Sequence, residues 1–99
     1  MKLTEAQQKF LRGRGHSLKP LIMIGNAGLS DAVFAEFDST ITHHELIKVK
    51  VRGADRDTRD AIFADLCERG EATLVQRIGN VALLYRPNPE QNRILLPRR

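Results

Sequence analysis

Apolar positions along the chain follow two spacings, and the changes between them mark the elements. Leu3, Ala6, Phe10 and Leu11 form a stripe at helical spacing. Thr4 stands ahead of it with Gln7 three residues on, the pattern in which a hydroxyl and a carboxamide cap each other's backbone N–H. Gly13 or Gly15 ends this helix. Lys9 and Arg12, three apart, share a face away from the stripe. Leu21 to Ile24 is apolar without alternation, which predicts a strand covered on both faces, central in its sheet. Ser30 then caps a second helix, with Val33, Phe37 and Ile41 at spacing four, Phe34 beside them and His43-His44 in the last turn. Leu46 to Arg52 alternates as a strand: Ile47, Val49 and Val51 take one face, and Lys48, Lys50 and Arg52 the other. A third helix starts near Asp55 or Asp57, buries Ile62, Phe63, Leu66 and Cys67, and stops at Gly70. Ala72 to Ile78 and Val81 to Tyr85 read as strands joined by the two-residue turn Gly79-Asn80.

The order is helix, strand, helix, strand, helix, strand, strand. Helical crossovers make the early strands parallel, and the last hairpin adds an antiparallel pair. The expected fold is α/β: one compact domain over residues 1–99, with a mixed four-stranded sheet and helices packed on it. Residues 1–86 form the globular body. Arg86-Pro87-Asn88-Pro89 breaks regular structure, and residues 87–99 form a basic C-terminal tail in which Ile94-Leu95-Leu96 could dock on the body.

Composition narrows the class. With 99 residues and 41% hydrophobic content, one small core is what the chain can build. Its apolar runs stop far short of the roughly 20 residues of a spanning helix. The N-terminus lacks the apolar block of a signal peptide, and the single cysteine, Cys67, has no intrachain partner, so a cytoplasmic location is expected. The net charge is +4, unevenly spread: +4 over residues 1–20, −3 over 21–79 and +3 over 80–99. Basic ends on a mildly acidic middle suggest a face for a polyanion.

Between the first strand and the second helix lies Gly25-Asn26-Ala27-Gly28. Two glycines let the backbone turn sharply or come close to another molecule. The helix that follows points free N–H groups and a positive dipole end toward the loop, an arrangement that suits phosphate. Other chemistry is weakly signalled. His16, His43 and His44 lack metal-ligand spacing. Asp55, Asp57 and Asp60 crowd one helix start, whereas a magnesium-dependent nuclease would draw carboxylates from separate elements. Cys67 sits on an apolar stripe, as a structural thiol does. The four Phe residues all fall on helices, so the strands lack the aromatics on which RNA bases stack, and a reader of phosphates and shape is the better expectation.

Leu18-Lys19-Pro20, Ile24 to Ser30, His44 to Lys50, Ile78-Gly79-Asn80 and Leu84 to Pro87, in this order, resemble the CRM domain (chloroplast RNA splicing and ribosome maturation), in its stand-alone bacterial, YhbY-like form. The resemblance spans about residues 3–99. It implies a fold like the C-terminal domain of translation initiation factor three. It also implies a non-enzymatic RNA-binding protein that assists ribosome assembly on RNA of large-subunit precursors. No cofactor, metal, membrane or small-molecule substrate is implied, and a monomer is expected. By position, Gly25, Asn26, Ala27 and Gly28 would contact RNA. Many members carry a lysine in this loop; with Asn26 and Ala27 in its place, the backbone N–H groups take the larger share. Lys9, Arg12, Lys19, Lys48, Lys50 and Arg86 complete the expected RNA surface. Glu45 reads as a tie between helix end and strand rather than an RNA contact. Two other functions stay open at this point: a metal-dependent nuclease or phosphoryl-transfer enzyme using the acidic cluster, and a protein-interaction adaptor using Ile94-Leu95-Leu96.

Overall fold

A computed structural model of the protein describes residues 1–25 and 27–98. Its elements are α1 (Glu5–Gly15), β1 (Pro20–Ile24), α2 (Asp31–His44), β2 (Leu46–Val51), α3 (Arg56–Arg69), β3 (Thr73–Ile78) and β4 (Val81–Tyr85), in the expected order. Local chemistry places the helix starts. Gln7 N–H donates to Thr4 Oγ1 (3.1 Å) and Thr4 N–H to Gln7 Oε1 (3.0 Å), a complete capping box. Ser30 and Asp55 cap α2 and α3 through the N–H groups of Val33 and Thr58. The turn between β3 and β4 has positive φ at Gly79 alone (+60°), the pattern of a type II′ hairpin with glycine first.

The sheet order is β1-β2-β4-β3, with β1 and β2 parallel and the other pairs antiparallel. Alternation divides the side chains between two cores. Ile22, Ile24, Ile47, Val49, Val51, Ala82 and Leu84 meet Phe37 and Ile41 of α2 and Ile62, Phe63 and Leu66 of α3 on one face. Leu46, Val75, Leu83 and Tyr85 meet Leu11 of α1 and Ile94 of the tail on the other. Two expectations need correction. β1 is an edge strand, not a central one: Ile22 and Ile24 are buried, but Leu21 and Met23 remain 52% and 46% exposed. α1 packs mainly over β2 and β3, so the second apolar face of β1 stays open. Pro20, which cannot donate to a ladder, fits such an edge. On α1, Ala6 is exposed, and the half-buried Gln7 and Gln8 take its place against the body. Their carboxamides donate to Pro97 O (2.8 Å) and Val75 O (2.9 Å).

The tail folds back on the body, and Glu45 holds it there. Glu45 is fully buried and has positive φ (65°) at the end of α2. Its carboxylate accepts from the backbone N–H of Asn88 (2.8 Å), Arg93 (2.5 Å) and Ile94 (3.1 Å). The side-chain tie therefore runs to the C-terminal tail, while the Glu45 carbonyl accepts from Arg86 N–H (2.8 Å). Glu45→Ala keeps the Cβ, and with it the backbone strain, but removes the acceptor for three N–H groups. A loss of about 3 kcal/mol is expected, which lowers Tm by roughly 12 °C or more in a domain of this size. A thermal melt matching the parent would mean that the tail is not pinned by this carboxylate.

Candidate nucleic-acid interface

Parallel pairing of β1 and β2 brings their carboxyl ends together, and the β3–β4 turn reaches the same end. Arg52 N–H donates to Ile24 O (2.8 Å) and Val51 N–H to Asn80 O (2.9 Å). Both crossover helices, α2 and α3, begin there. Within the loop, Gly28 N–H donates to Gly25 O (3.0 Å), and Gly28 has φ of +76°, a conformation that disfavours any side chain. Gly25 is different. Its backbone lies outside the left-handed region, and an added Cβ would meet nothing within 4 Å. The turn thus requires glycine at 28, whereas glycine at 25 leaves an open approach to the backbone from outside. Ala27 is exposed at the surface of the loop; Asn26 lies outside the described residues.

The same end gathers cations from segments far apart in sequence. Lys50 is the penultimate residue of β2, paired with Met23 on one side and Val81 on the other. Arg52 follows the strand and is exposed. Arg56 and Arg59 on the first turns of α3 line a cleft with Arg77 and Gly79 of the hairpin. Arg59 Nε is buried there with no hydrogen-bond partner among the described residues. Arg77 is committed within the fold: it pairs with Asp60, donates to Gly79 O (3.2 Å) and lies over the Phe63 ring. Several acids at this end are also engaged. Asp31 lies 3.6 Å from Arg69. Asp55 accepts from Thr58, which together with Arg59 holds its carboxyl below the ordinary carboxylate value. The expected surface omitted Arg52, Arg56, Arg59 and Arg77, which sit in the segment of net negative charge. The available signal was position: each lies next to a strand end or helix start that the topology brings to the loop.

The expected site residues divide. Lys48 and Lys50 lie on the sheet face opposite the α2–α3 core, toward the loop end, and Lys48 Nζ reaches His16 O at 3.5 Å. Lys19 is exposed beside the start of β1. Lys9 is exposed on α1, and Arg12 is half-buried there. Arg86 is not brought to the loop. It lies at the opposite end of the sheet, where its guanidinium donates to Asp38 Oδ1 (2.8 Å), Gly70 O (2.7 Å) and Thr42 Oγ1 (2.5 Å). This arrangement locks the tail's start to α2 and α3. Other candidates settle into structural places. Cys67 is half-buried against the main core, and burial raises its thiol pKa. Tyr85 is raised by burial and by the nearby Glu45. His43 and His44 are exposed, with rings edge to face 4.8 Å apart. Of the tail's apolar triplet, Ile94 is buried in the body, Leu96 is half-buried and Leu95 is exposed.

Fold and surface together define a small α/β protein with a glycine loop and a cluster of cations at one end of its sheet. The CRS1/YhbY (CRM) domain matches residues 3–86, and the chain belongs to this family. It is similar to an RNA-binding protein of Haemophilus influenzae, with 45% identity over 98% of this chain and 97% of the relative. A probable RNA-binding protein of Pseudomonas aeruginosa is 44% identical over 96% of this chain and 91% of its own. The solution structure of a Staphylococcus aureus protein shares the fold, with a TM-score of 0.81 and 33% identity, over 97% of this chain and all of that one. These relatives are named for RNA binding, not for enzymatic activity.

The two faces of β2 make a paired test. Val49 is fully buried, so Val49→Asp places an unpaired carboxylate in the main core and should cost on the order of 4 kcal/mol or more. Lys50→Ala should change stability by less than about 0.5 kcal/mol. Chemical denaturation of both variants checks this; equal destabilisation would mean that both faces of β2 are packed.

Proposed function

We propose that this chain is a monomeric, non-enzymatic RNA-binding protein of the cytoplasm that assists large-subunit assembly by holding precursor RNA at the glycine-loop end of its sheet. One observation carries the reading: the accessible backbone at Gly25, the starts of α2 and α3, and Lys50, Arg52, Arg56 and Arg59 share one end of the molecule. Backbone N–H groups and guanidinium forks match phosphate oxygens and carry no sequence information of their own. Lys48 and Lys19 extend the basic surface toward the start of β1, and Lys9 and Arg12 add a more distant patch on α1. The names of the relatives support RNA as the ligand. The family resemblance supports the ribosomal context.

Binding should be steeply salt-dependent. If about four to six phosphates are neutralised, log affinity should fall against log salt with a slope of roughly −3 to −5. Ala27→Glu keeps both glycines and adds a carboxylate at an exposed loop position. It should weaken RNA binding about tenfold, or ~1.4 kcal/mol, with Tm nearly unchanged. A flat salt dependence, together with parental affinity in Ala27→Glu, would remove the site from this end. For the ribosomal context, gradient sedimentation of lysate at low salt should carry the protein with large-subunit precursors and release it at high salt. A protein that stays at the top of the gradient under both conditions would contradict that assignment.

A further inference from the structure

We propose that the open half of the sheet face beneath the loop is a pocket for an unpaired nucleobase, so that the protein prefers RNA with single-stranded segments. The proposal rests on the RNA-binding reading above and adds a second ligand chemistry to it. α1 and the tail cover only part of their face, over Leu46, Val75, Leu83 and Tyr85. Beyond that cover, Leu21, Met23 and Ile78 remain 52%, 46% and 70% exposed. Single exposed apolar residues are ordinary, but here they flank one face at both edges, Leu21 and Met23 on β1 and Ile78 on β3, with Lys50 and Val81 between them, which marks a contact surface. Ile78 borders a cleft of about 370 Å³, with further walls from Leu18, Pro20, Val81 and Leu83 and polar groups from His16, Lys48 and Gln76.

The occupant follows from charge and from continuity. The charged and titratable groups facing this half of the sheet are Lys48 and Lys50 from β2, Lys19 at the start of β1 and His16 after α1, a set without a carboxylate among the described lining residues, which favours a polyanion with apolar parts. The cleft lies next to the glycine-loop end of the sheet. Met23 lies two residues before Gly25, and Ile78 directly precedes Gly79 of the arginine-lined cleft. The two clefts lie on opposite faces of the sheet and meet at its loop end, so RNA held there is within reach of this face. A base offers two weakly hydrated faces and a polar rim. Aliphatic walls can bury the faces, the Gln76 carboxamide offers both donor and acceptor to the rim, and Lys48 can meet the adjoining phosphate. Paired and stacked bases cannot enter, so the pocket selects unpaired ones.

The test uses the whole protein, a hairpin RNA with an unpaired loop, and a blunt duplex of equal length. The parent should bind the hairpin more tightly than the duplex. In the double variant Leu18→Ser with Ile78→Ser, hairpin affinity should fall about tenfold while duplex affinity and the salt slope are unchanged. A 4-thiouridine placed in the RNA loop should crosslink to the segments 18–23 or 76–81. Equal parental binding of both RNAs, or parental hairpin affinity in the double variant, overturns the pocket; Ala27→Glu then still reports separately on the phosphate end. A crosslink confined to α1 or the tail also overturns it. So does a variant whose only change is the loss of self-association, which would give this face to a second copy of the chain. If the parent binds neither RNA, the pocket and the RNA reading fall together.

Discussion

The buried carboxylate of Glu45 is the constraint on which the layout of the molecule depends. Among the described residues it forms no ion pair, and it is satisfied by three backbone N–H groups of the tail. Burying a carboxylate is costly unless its lone pairs are filled, so the tail must follow one path. That path seats Ile94 against Tyr85 and Leu46 and places Pro97 O against Gln7 of the α1 cap. Glu45 thereby fixes the cover on the second face of the sheet. It also fixes where the cover stops, which leaves the loop-proximal half uncovered. Arg86 works on the same joint from the other side, spending its donors on Asp38, Gly70 and Thr42.

The two faces of the sheet accordingly have different tasks. The face under α2 and α3 is closed and supplies the main core. It also anchors both crossover helices, whose starts flank the glycine loop at the carboxyl ends of the parallel strands. Loop and arginines are thus held by rigid elements, while the loop backbone itself stays reachable. The opposite face is shared between a structural half and an open half.

Much of this was legible in the residues. The alternation of Leu46 to Arg52 separated Ile47, Val49 and Val51 from Lys48 and Lys50, because a strand allows only two directions. Thr4, Ser30 and the Gly79-Asn80 pair announced their caps and turn through local hydrogen bonding and backbone freedom. What sequence could not supply was pairing over distance. Leu21 to Ile24 looked covered on both sides, since an apolar run does not say whether anything lies over its second face. Glu45 gave no sign that its partners are residues 88, 93 and 94. Summing charge along the chain pointed to the two ends, but folding buries Arg86 in a structural joint. It brings Arg56, Arg59 and Arg77 together although they are interleaved with acids in the sequence.

The central claim is that RNA meets the protein at the loop end of the sheet. The direct measurement is an NMR titration of the isotope-labelled protein with a structured RNA, following each backbone amide. The account predicts that shifts concentrate in residues 23–31, 50–59 and 77–81, with the amides of 88, 93 and 94 that face Glu45 undisturbed. Shifts confined to α1 and the tail, with the loop and the start of α3 silent, would contradict it.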